Sequence, residues 1–590
     1  MRKICSTLLV LALLLTALGA PAALAAGYTA GTYTAAAKGN NGDVTVNVVV
    51  SADKIESVQV TGHQETPGIS DKPIAELPAA IVAAQGLGID AVSGATNTSH
   101  AILEAVADCM AQAGADVEAL KAVGSAPAEK AADETLTADV IVIGAGGAGM
   151  AAAVQANQDG ASVIVIEKQA QIGGNTILSG GALNAVDDRS ETAIRNNDSV
   201  EWHYTQTMNG GDNKGDPLLV HTLVRNAWAG VTWLKELGME FIPDKIFTVT
   251  GGMWPRAHKP VMPVGTGFFD TYQKYVDSHE NIEIRLNTKA DRLIVDGGKV
   301  VGVAATGETG NAITLNANKA VVLATGGFGR NVEMRMQYDT KWGNLTEAVP
   351  STNHAGATGD GIGMATEVGA QLTGMEYIQL LPLGDPQSGS LSGNIEHDVE
   401  RRIFVNKNGE RFVNEGGRRD DMTAALFAQP DSWMWIVMDS DCYPTGDEKN
   451  NFNESVNQLI SEGRAFKGET LSDLAAAIDV PAEALEKAVA DFNEHAASGK
   501  EDAFGRTLYS TPIDNGPFYA APRVPTVHHT MGGVKINVNA EVINEAGEVI
   551  DGLYAAGEVT GGIHGANRLG GNALADILVF GRIAGANAAK

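Results

Sequence analysis

Six consecutive residues, Gly144-Ala145-Gly146-Gly147-Ala148-Gly149, carry the first chemistry legible in this sequence. Their G-x-G-x-x-G spacing follows the apolar run Val140 to Ile143 and opens an alanine-rich stretch of helical character. In such a context the first glycine permits a tight turn, the second lets backbone N–H groups approach a pyrophosphate at a helix N-terminus, and the third allows helix to pack closely on strand. Glu167 closes the next apolar run, 23 residues after Gly144, where an acidic side chain accepts hydrogen bonds from ribose hydroxyls. An isolated G-x-G-x-x-G is often only a turn; strand, helix, second strand and acid in register point to a dinucleotide. Two further glycine-rich turns, Ile172 to Ala185 and Val321 to Gly329, suit a flavin dinucleotide better than a nicotinamide one.

The elements that must position these groups can be read around them. The stretch Ala138 to Lys168 reads strand, turn, helix, strand, so a long α/β domain opens with a βαβ unit near residue 137. Before it, Asp43 to Gly62 alternates apolar and polar residues across a polar turn, the pattern of antiparallel strands, and a helical stretch from Ser99 to Gly114 follows. These bound a small α+β module over 26–114. Residues 115–136, rich in Ala, Glu, Lys and Pro, read as a linker. Met1-Arg2-Lys3, the apolar run Leu8 to Leu15 and Ala23-Leu24-Ala25 predict a signal peptide over 1–25; the run is too short to span a bilayer, and a retained anchor is the alternative. A soluble exported protein is expected.

Composition removes several classes. Lys plus Arg is 42 against 71 Asp plus Glu, a net charge of −29 with no basic stripe, so nucleic acid is an improbable partner. The three cysteines, Cys5, Cys109 and Cys442, form no C-x-x-C or C-x-x-C-H, which disfavours disulfide scaffolds, zinc ribbons, iron–sulfur clusters and c-type haem; no metal site is expected. The 590 residues call for at least two domains, and the 69 glycines ask for a local explanation.

Together with Gly356 to Ala365 and Leu553 to Asp576, the glycine-rich stretches resemble the flavoprotein subunit of the fumarate reductase and succinate dehydrogenase family, over nearly all of 137–590. The resemblance implies an α/β fold: a Rossmann-like FAD-binding domain in two parts, 137–375 and 526–590, with an inserted α+β cap over 376–525. It also implies that Glu167, Asn175, Thr176, Asp360, Glu558 and the segment Asn572-Ala573-Leu574 line the FAD. Some relatives attach FAD to a histidine in the stretch matching Gly173 to Ala185; this chain has none there, so noncovalent FAD is expected. Asp90-Ala91-Val92-Ser93-Gly94-Ala95-Thr96 resembles the D-x-x-S-G-A-T signature of FMN-binding domains, in which a flavin transferase esterifies the final threonine. Thr96 is then a covalent FMN site, with Thr98, Ser99 and a helix N-terminus as phosphate donors; a plain Ser/Thr helix cap is the alternative. Without c-type haem motifs, electrons are expected to run from an external envelope carrier, such as a quinol dehydrogenase, to FMN, to FAD and to substrate.

By the same resemblance, the reaction is hydride transfer to the C=C bond of an unsaturated carboxylate. His528 and Arg568 match the carboxylate clamp and Arg419 the proton donor, although Arg418 could be the inward residue and His528 or His529 a core histidine. Glu396 and Arg401 are candidates to return the proton. Fumarate reductases carry His-Pro-Thr where this chain has Leu381-Pro382-Leu383. Leu381 cannot hydrogen-bond, so the pocket is expected to take a monocarboxylic enoate. The Pro-Leu-Gly-Asp-Pro segment resembles urocanate reductases, which place a tyrosine and an aspartate where Leu381 and Glu396 stand; a cinnamate-like substrate fits at least as well. The expectation is an exported, periplasmic or extracytoplasmic reductase of urocanate or a related arylacrylate, serving anaerobic respiration. The alternatives are a fumarate reductase, an FAD-dependent oxidase or desaturating dehydrogenase, and an electron carrier with a vestigial site.

Overall fold

The computed structural model describes residues 27–92, 94–124, 129–343, 345–396 and 398–590. The segment assigned to a signal peptide lies outside the described residues, as does Ser93. The chain divides into a small unit, 27–65 with 70–124, and a large one that holds 66–69 and 129–590.

In the small unit, strands Gly31–Lys38, Asp43–Val50 and Ile55–Gly62 form an antiparallel sheet in sequence order. Val44, Val46, Val48 and Val50 alternate inward and meet Ala101, Ile102, Ala105, Val106 and Cys109 of helix Thr96–Gln112. This is the period of 2 on the strand matched to one face of the helix. A short helix, Val117–Lys121, buries Leu120 in the same core, and the first strand of the large unit begins at Glu134. The linker read as 115–136 is therefore shorter at both ends.

The large unit is built on parallel strands in the order Val549–Ala555, Ala312–Leu323, Glu134–Ile143, Val163–Ile166 and Ile282–Arg285. The Val/Ile runs at 140–143 and 163–166 are buried along their whole length, as a sheet covered on both faces requires. Helices Gly147–Gln158 and Asn572–Ala588 pack against each other, and a Cβ on Gly585 would lie 2.2 Å from the Ala152 carbonyl oxygen, so only glycine permits that approach. A second sheet joins Ile378–Gly384, Phe518–Thr530, Met434–Met438 and Ile403–Val405, with Phe466–Gly468 also on the long strand. Met434, Ile436 and Met438 feed one apolar cluster and Trp435 and Val437 another, so this cap has a core on each face of its sheet.

The cap boundary drawn at 525 falls inside Phe518–Thr530. His528 is therefore carried by a cap-sheet strand that runs on toward the FAD half, and is not separate from the cap as expected.

Candidate functional site

Two cavities open side by side in the large unit, with about 850 and 1110 Å³ of empty space that includes solvent at their mouths. Asn175, Thr176, Glu558 and Ile577 line both.

The first cavity is floored by the glycine turn. Gly144 has φ +102° and its Cβ would meet the Ala324 carbonyl oxygen at 2.5 Å; a Cβ on Gly149 would lie 1.9 Å from the Gly144 oxygen. Gly146 has no atom within 4 Å of the Cβ position, so the cavity lies open above it. Glu167 is fixed at the wall by accepting from the N–H groups of Ala145 (2.8 Å) and Gln169 (2.9 Å), and burial pushes its carboxyl up. Asp360, first residue of helix Asp360–Glu367, pairs with Lys168 at 2.7 Å; burial works to raise its pKa, but Lys168 and Thr358 hold it below the usual range. Asn175 donates to Glu558 (3.0 Å) and accepts from the His354 N–H (2.6 Å), while Thr176 accepts from the Gly147 N–H (3.3 Å). The open glycine floor, the acid at the wall and the N-terminus of helix Gly147–Gln158 fit a dinucleotide.

Asn572 departs from its expected role. Its side chain is buried and engaged by Asn184 (2.8 Å), His203 (2.9 Å) and Thr207 (3.0 Å), so it pins the start of helix Asn572–Ala588 and does not line the site. Ala573 and Leu574 do line the second cavity.

That second cavity gathers Arg419, Arg568, His528 and His529. Adjacent strand residues normally point to opposite faces, but the pairing slips here: Gln379 faces His529 and Leu380 faces Val527, leaving His528 as an extra residue. This β-bulge turns both histidines to one cavity. Thr352 Oγ1 holds His528 Nδ1 at 2.8 Å, and His529 Nδ1 lies 3.4 Å from Glu558. Burial, then the charges of Arg419 and Arg568, push His528 well below its ordinary value, so it is neutral at pH 7.

Arg419 is the first residue of helix Arg419–Phe427; its Nε donates to the Thr250 carbonyl (2.9 Å) and Nη1 to Gln379 (3.2 Å). Arg418, one residue earlier, points outward to Asp212 and Asp420, which settles which of the pair is inward. Arg568 donates to the Leu569 carbonyl (3.2 Å), and its buried Nε has no protein partner. Neither inward guanidinium forms an ion pair among the described residues. Burial first, then Arg568, pushes Arg419 well down; burial lowers Arg568 to about 10.

Glu396 accepts from Thr250 Oγ1 (2.7 Å) and pairs with Arg402. Arg401, the expected relay partner, instead donates to Ser510 (3.2 Å), so the arginine in contact with Glu396 is the next residue. Leu381 and Leu383 face the cavity with Leu178, Leu391 and Phe452 as apolar wall. Lys259 also lines it, 7% exposed, and was not legible beforehand: nothing in Ala257 to Pro260 marks it apart from a surface lysine.

In the small unit, Thr96 is the exposed first residue of its helix, after Gly94 at φ +87°. Thr98 donates to the buried Glu65, and Ser99 donates to the Ala95 carbonyl (2.9 Å) while accepting from the Val92 N–H (3.0 Å). Both hydroxyls brace the loop and are not free for phosphate, contrary to expectation.

A family model described as FAD binding domain matches residues 139–574, and one described as FMN-binding domain matches 39–111. This chain belongs to the FAD-binding flavoprotein reductases. The reductase is 37% identical over 570 residues to the urocanate reductase of Eggerthella lenta, covering 96% of this chain and 93% of that one. It is 38% identical over 620 residues to the NADH:acrylate oxidoreductase of Vibrio harveyi, covering 95% of this chain but spanning only 61% of that relative's length. The open-conformation structure of a flavocytochrome c3 fumarate reductase superposes with a TM-score of 0.61 at 38% identity, covering 77% of this chain and 78% of that one. The reductase thus has FAD-binding and FMN-binding domains, and its relatives are named as reductases of C=C bonds.

Proposed function

We propose that this reductase saturates the C=C bond of an α,β-unsaturated carboxylate whose β-substituent is planar and weakly polar, an arylacrylate. The observation that carries this reading is the convergence of Arg419, Arg568 and His528 on one cavity with, among the described residues, no carboxylate ion-paired to either guanidinium. Buried cations without counter-ions are costly, and an anionic substrate supplies the missing charge. Arg568 offers a planar fork to the substrate carboxylate. Thr352 Oγ1 fixes the His528 ring through Nδ1; in the tautomer in which Thr352 donates, the neutral ring keeps its N–H on Nε2 as a further donor. FAD, when bound in the first cavity and along the shared wall, supplies the hydride. Arg419 delivers the proton to the α-carbon; its depressed pKa makes it a stronger acid than a solvated guanidinium. Thr250 positions Arg419 beside Glu396, accepting from Arg419 through its carbonyl and donating its hydroxyl to Glu396, which Arg402 backs; the carbonyl itself passes no proton.

Leu381 and Leu383 give a second carboxylate nothing to bind at that wall, which disfavours fumarate. Glu396 accepts from Thr250 through Oε1 and is charge-paired with Arg402, while its Oε2 has no hydrogen-bond partner among the described residues and is an acceptor open to an imidazole; with the likeness to the Eggerthella lenta enzyme this keeps urocanate as the second reading. We further propose noncovalent FAD, FMN esterified to the exposed Thr96 hydroxyl by a flavin transferase, export ahead of the envelope electron donor, and a role as terminal acceptor enzyme in anaerobic respiration. No helix among the described residues is long and apolar enough to cross a membrane.

The test is anaerobic oxidation of reduced methyl viologen by the purified enzyme with cinnamate, urocanate, fumarate, acrylate and itaconate. Fastest turnover with cinnamate supports the proposal; no substrate exceeding the blank would end it, and rapid oxygen-dependent peroxide release would mark an oxidase. Intact-mass measurement should show one FMN on the wild type and none on Thr96→Ala.

A further inference from the structure

Lys259 sits at the edge of the second cavity in a setting that does not explain its charge. Its Nζ donates to the neutral amide oxygen of Asn451 (2.9 Å) and lies 4.6 Å from the centre of the Phe247 ring, and it forms no ion pair among the described residues. The nearest influences are Asp398, which favours the ammonium, and Lys245, which opposes it and itself stands 4.0 Å from Asp398. Burial outweighs Asp398 and, with Lys245 acting in the same direction, lowers Lys259 to about 8. An ammonium held among apolar walls with one neutral partner has unused donors, since it carries three.

Its position relative to the reacting end is set by a chain of hydrogen bonds. Arg419 donates to Thr250, Thr250 to Glu396, Asn451 to the Glu396 carbonyl (3.0 Å), and Lys259 to Asn451. Three residues therefore separate the proton donor from Lys259, with Leu381, Leu383, Leu391 and Phe452 lining the same cavity. A cavity with cations at its reacting end, an apolar wall and a donor at another edge matches a substrate with the same order of groups.

Resting on the arylacrylate reading, we propose that Lys259 is a specificity-determining residue that donates to an oxygen, phenolic or carboxylate, borne by the substrate's ring at the end remote from the reacting carboxylate. The ammonium also repels a cationic ring, which counts against an imidazolium.

The holoenzyme, Lys259→Met and Lys259→Arg are assayed with reduced viologen on cinnamate, 4-hydroxycinnamate and 4-carboxycinnamate. The quantity read is kcat/KM for each substituted substrate divided by that for cinnamate. Lys259→Met should lower at least one ratio tenfold or more, through KM, and Lys259→Arg should restore most of it; which ratio falls tells phenolic from carboxylate oxygen. Both ratios within twofold of wild type overturn the proposal. Should the variants lose FAD, the wild type decides alone: flavin absorbance titrations should show 4-hydroxyphenyl- or 4-carboxyphenylpropionate binding at least tenfold tighter than 3-phenylpropionate, and equal affinities overturn the proposal. An enzyme that reduces none of the three enoates refutes the arylacrylate reading and this one with it, whereas unchanged ratios in an active enzyme refute only the role of Lys259.

Discussion

Arg419 shows how one residue's place in an element decides its chemistry. Its neighbour Arg418 is chemically identical and one position earlier, and the sequence favours Arg419 only through the family resemblance, with Arg418 as the alternative. The start of helix Arg419–Phe427 separates them: Arg418 is held between the exposed Asp212 and the buried Asp420, and Arg419 turns inward to Thr250 and Gln379. A lysine at 419 keeps the charge but loses the planar fork that meets both acceptors at once. Arg419→Lys should therefore lower kcat by about 10²–10⁴ while FAD content stays at the wild-type level. Stopped-flow reoxidation with cinnamate checks this, and turnover within threefold of wild type would remove the proton-donor assignment. His528 and Arg568 were legible because they lie in distinctive local motifs. Lys259 and Arg402 were not, because their significance comes from burial among residues far away in the chain.

At the scale of elements, the βαβ opening was readable from periodicity, whereas the long strand Phe518–Thr530 was not. Pro522 and Pro525 interrupt it, and proline removes a ladder donor, so the segment does not read as a central strand. Yet Pro522 faces Trp435 within the cap sheet. The bulge at His528 was equally hidden, since alternation alone assigns His528 and His529 to opposite faces. The glycine turn offers a paired test of element against ligand. In Gly149→Ala the new Cβ meets backbone oxygen that cannot rotate away, so a loss of about 2 kcal/mol or more is expected, with FAD lost alongside. In Gly146→Ala, where φ is −76° and the Cβ enters open space, the fold should hold while FAD affinity drops at least tenfold. Thermal melting with flavin titration distinguishes the two; similar melting losses in both would show that the space over Gly146 is not a ligand's.

For the molecule as a whole, pH acts through histidines that the fold keeps neutral. Burial lowers His203 to about 3 and His354 to about 4, and His354 Nδ1 accepts the Gly356 N–H (3.1 Å), which a protonated ring could not do. The unfolded chain takes up these protons near pH 6.5 and the native one refuses them until about 4 or below. Their contribution is thus complete above pH 6.5 and falls as the pH drops, by about 1.4 kcal/mol per pH unit for each histidine. Denaturant midpoints should decline from pH 6.5 to 4, and His354→Gln should flatten that slope; an unchanged slope would contradict the assignment. The chain carries a charge of −29 and its cavity guanidiniums form no ion pair among the described residues, so an anion must be drawn through a field that opposes it, and added salt should ease its entry. The two cavities are joined by the hydrogen bond from Asn175 to Glu558, and the residues at both ends of that bond belong to both chambers. Occupancy on one side that shifts this bond must alter affinity on the other, and thermodynamic reciprocity makes the factor equal in both directions. Substrate would then act as a regulator of how firmly the enzyme retains its own flavin.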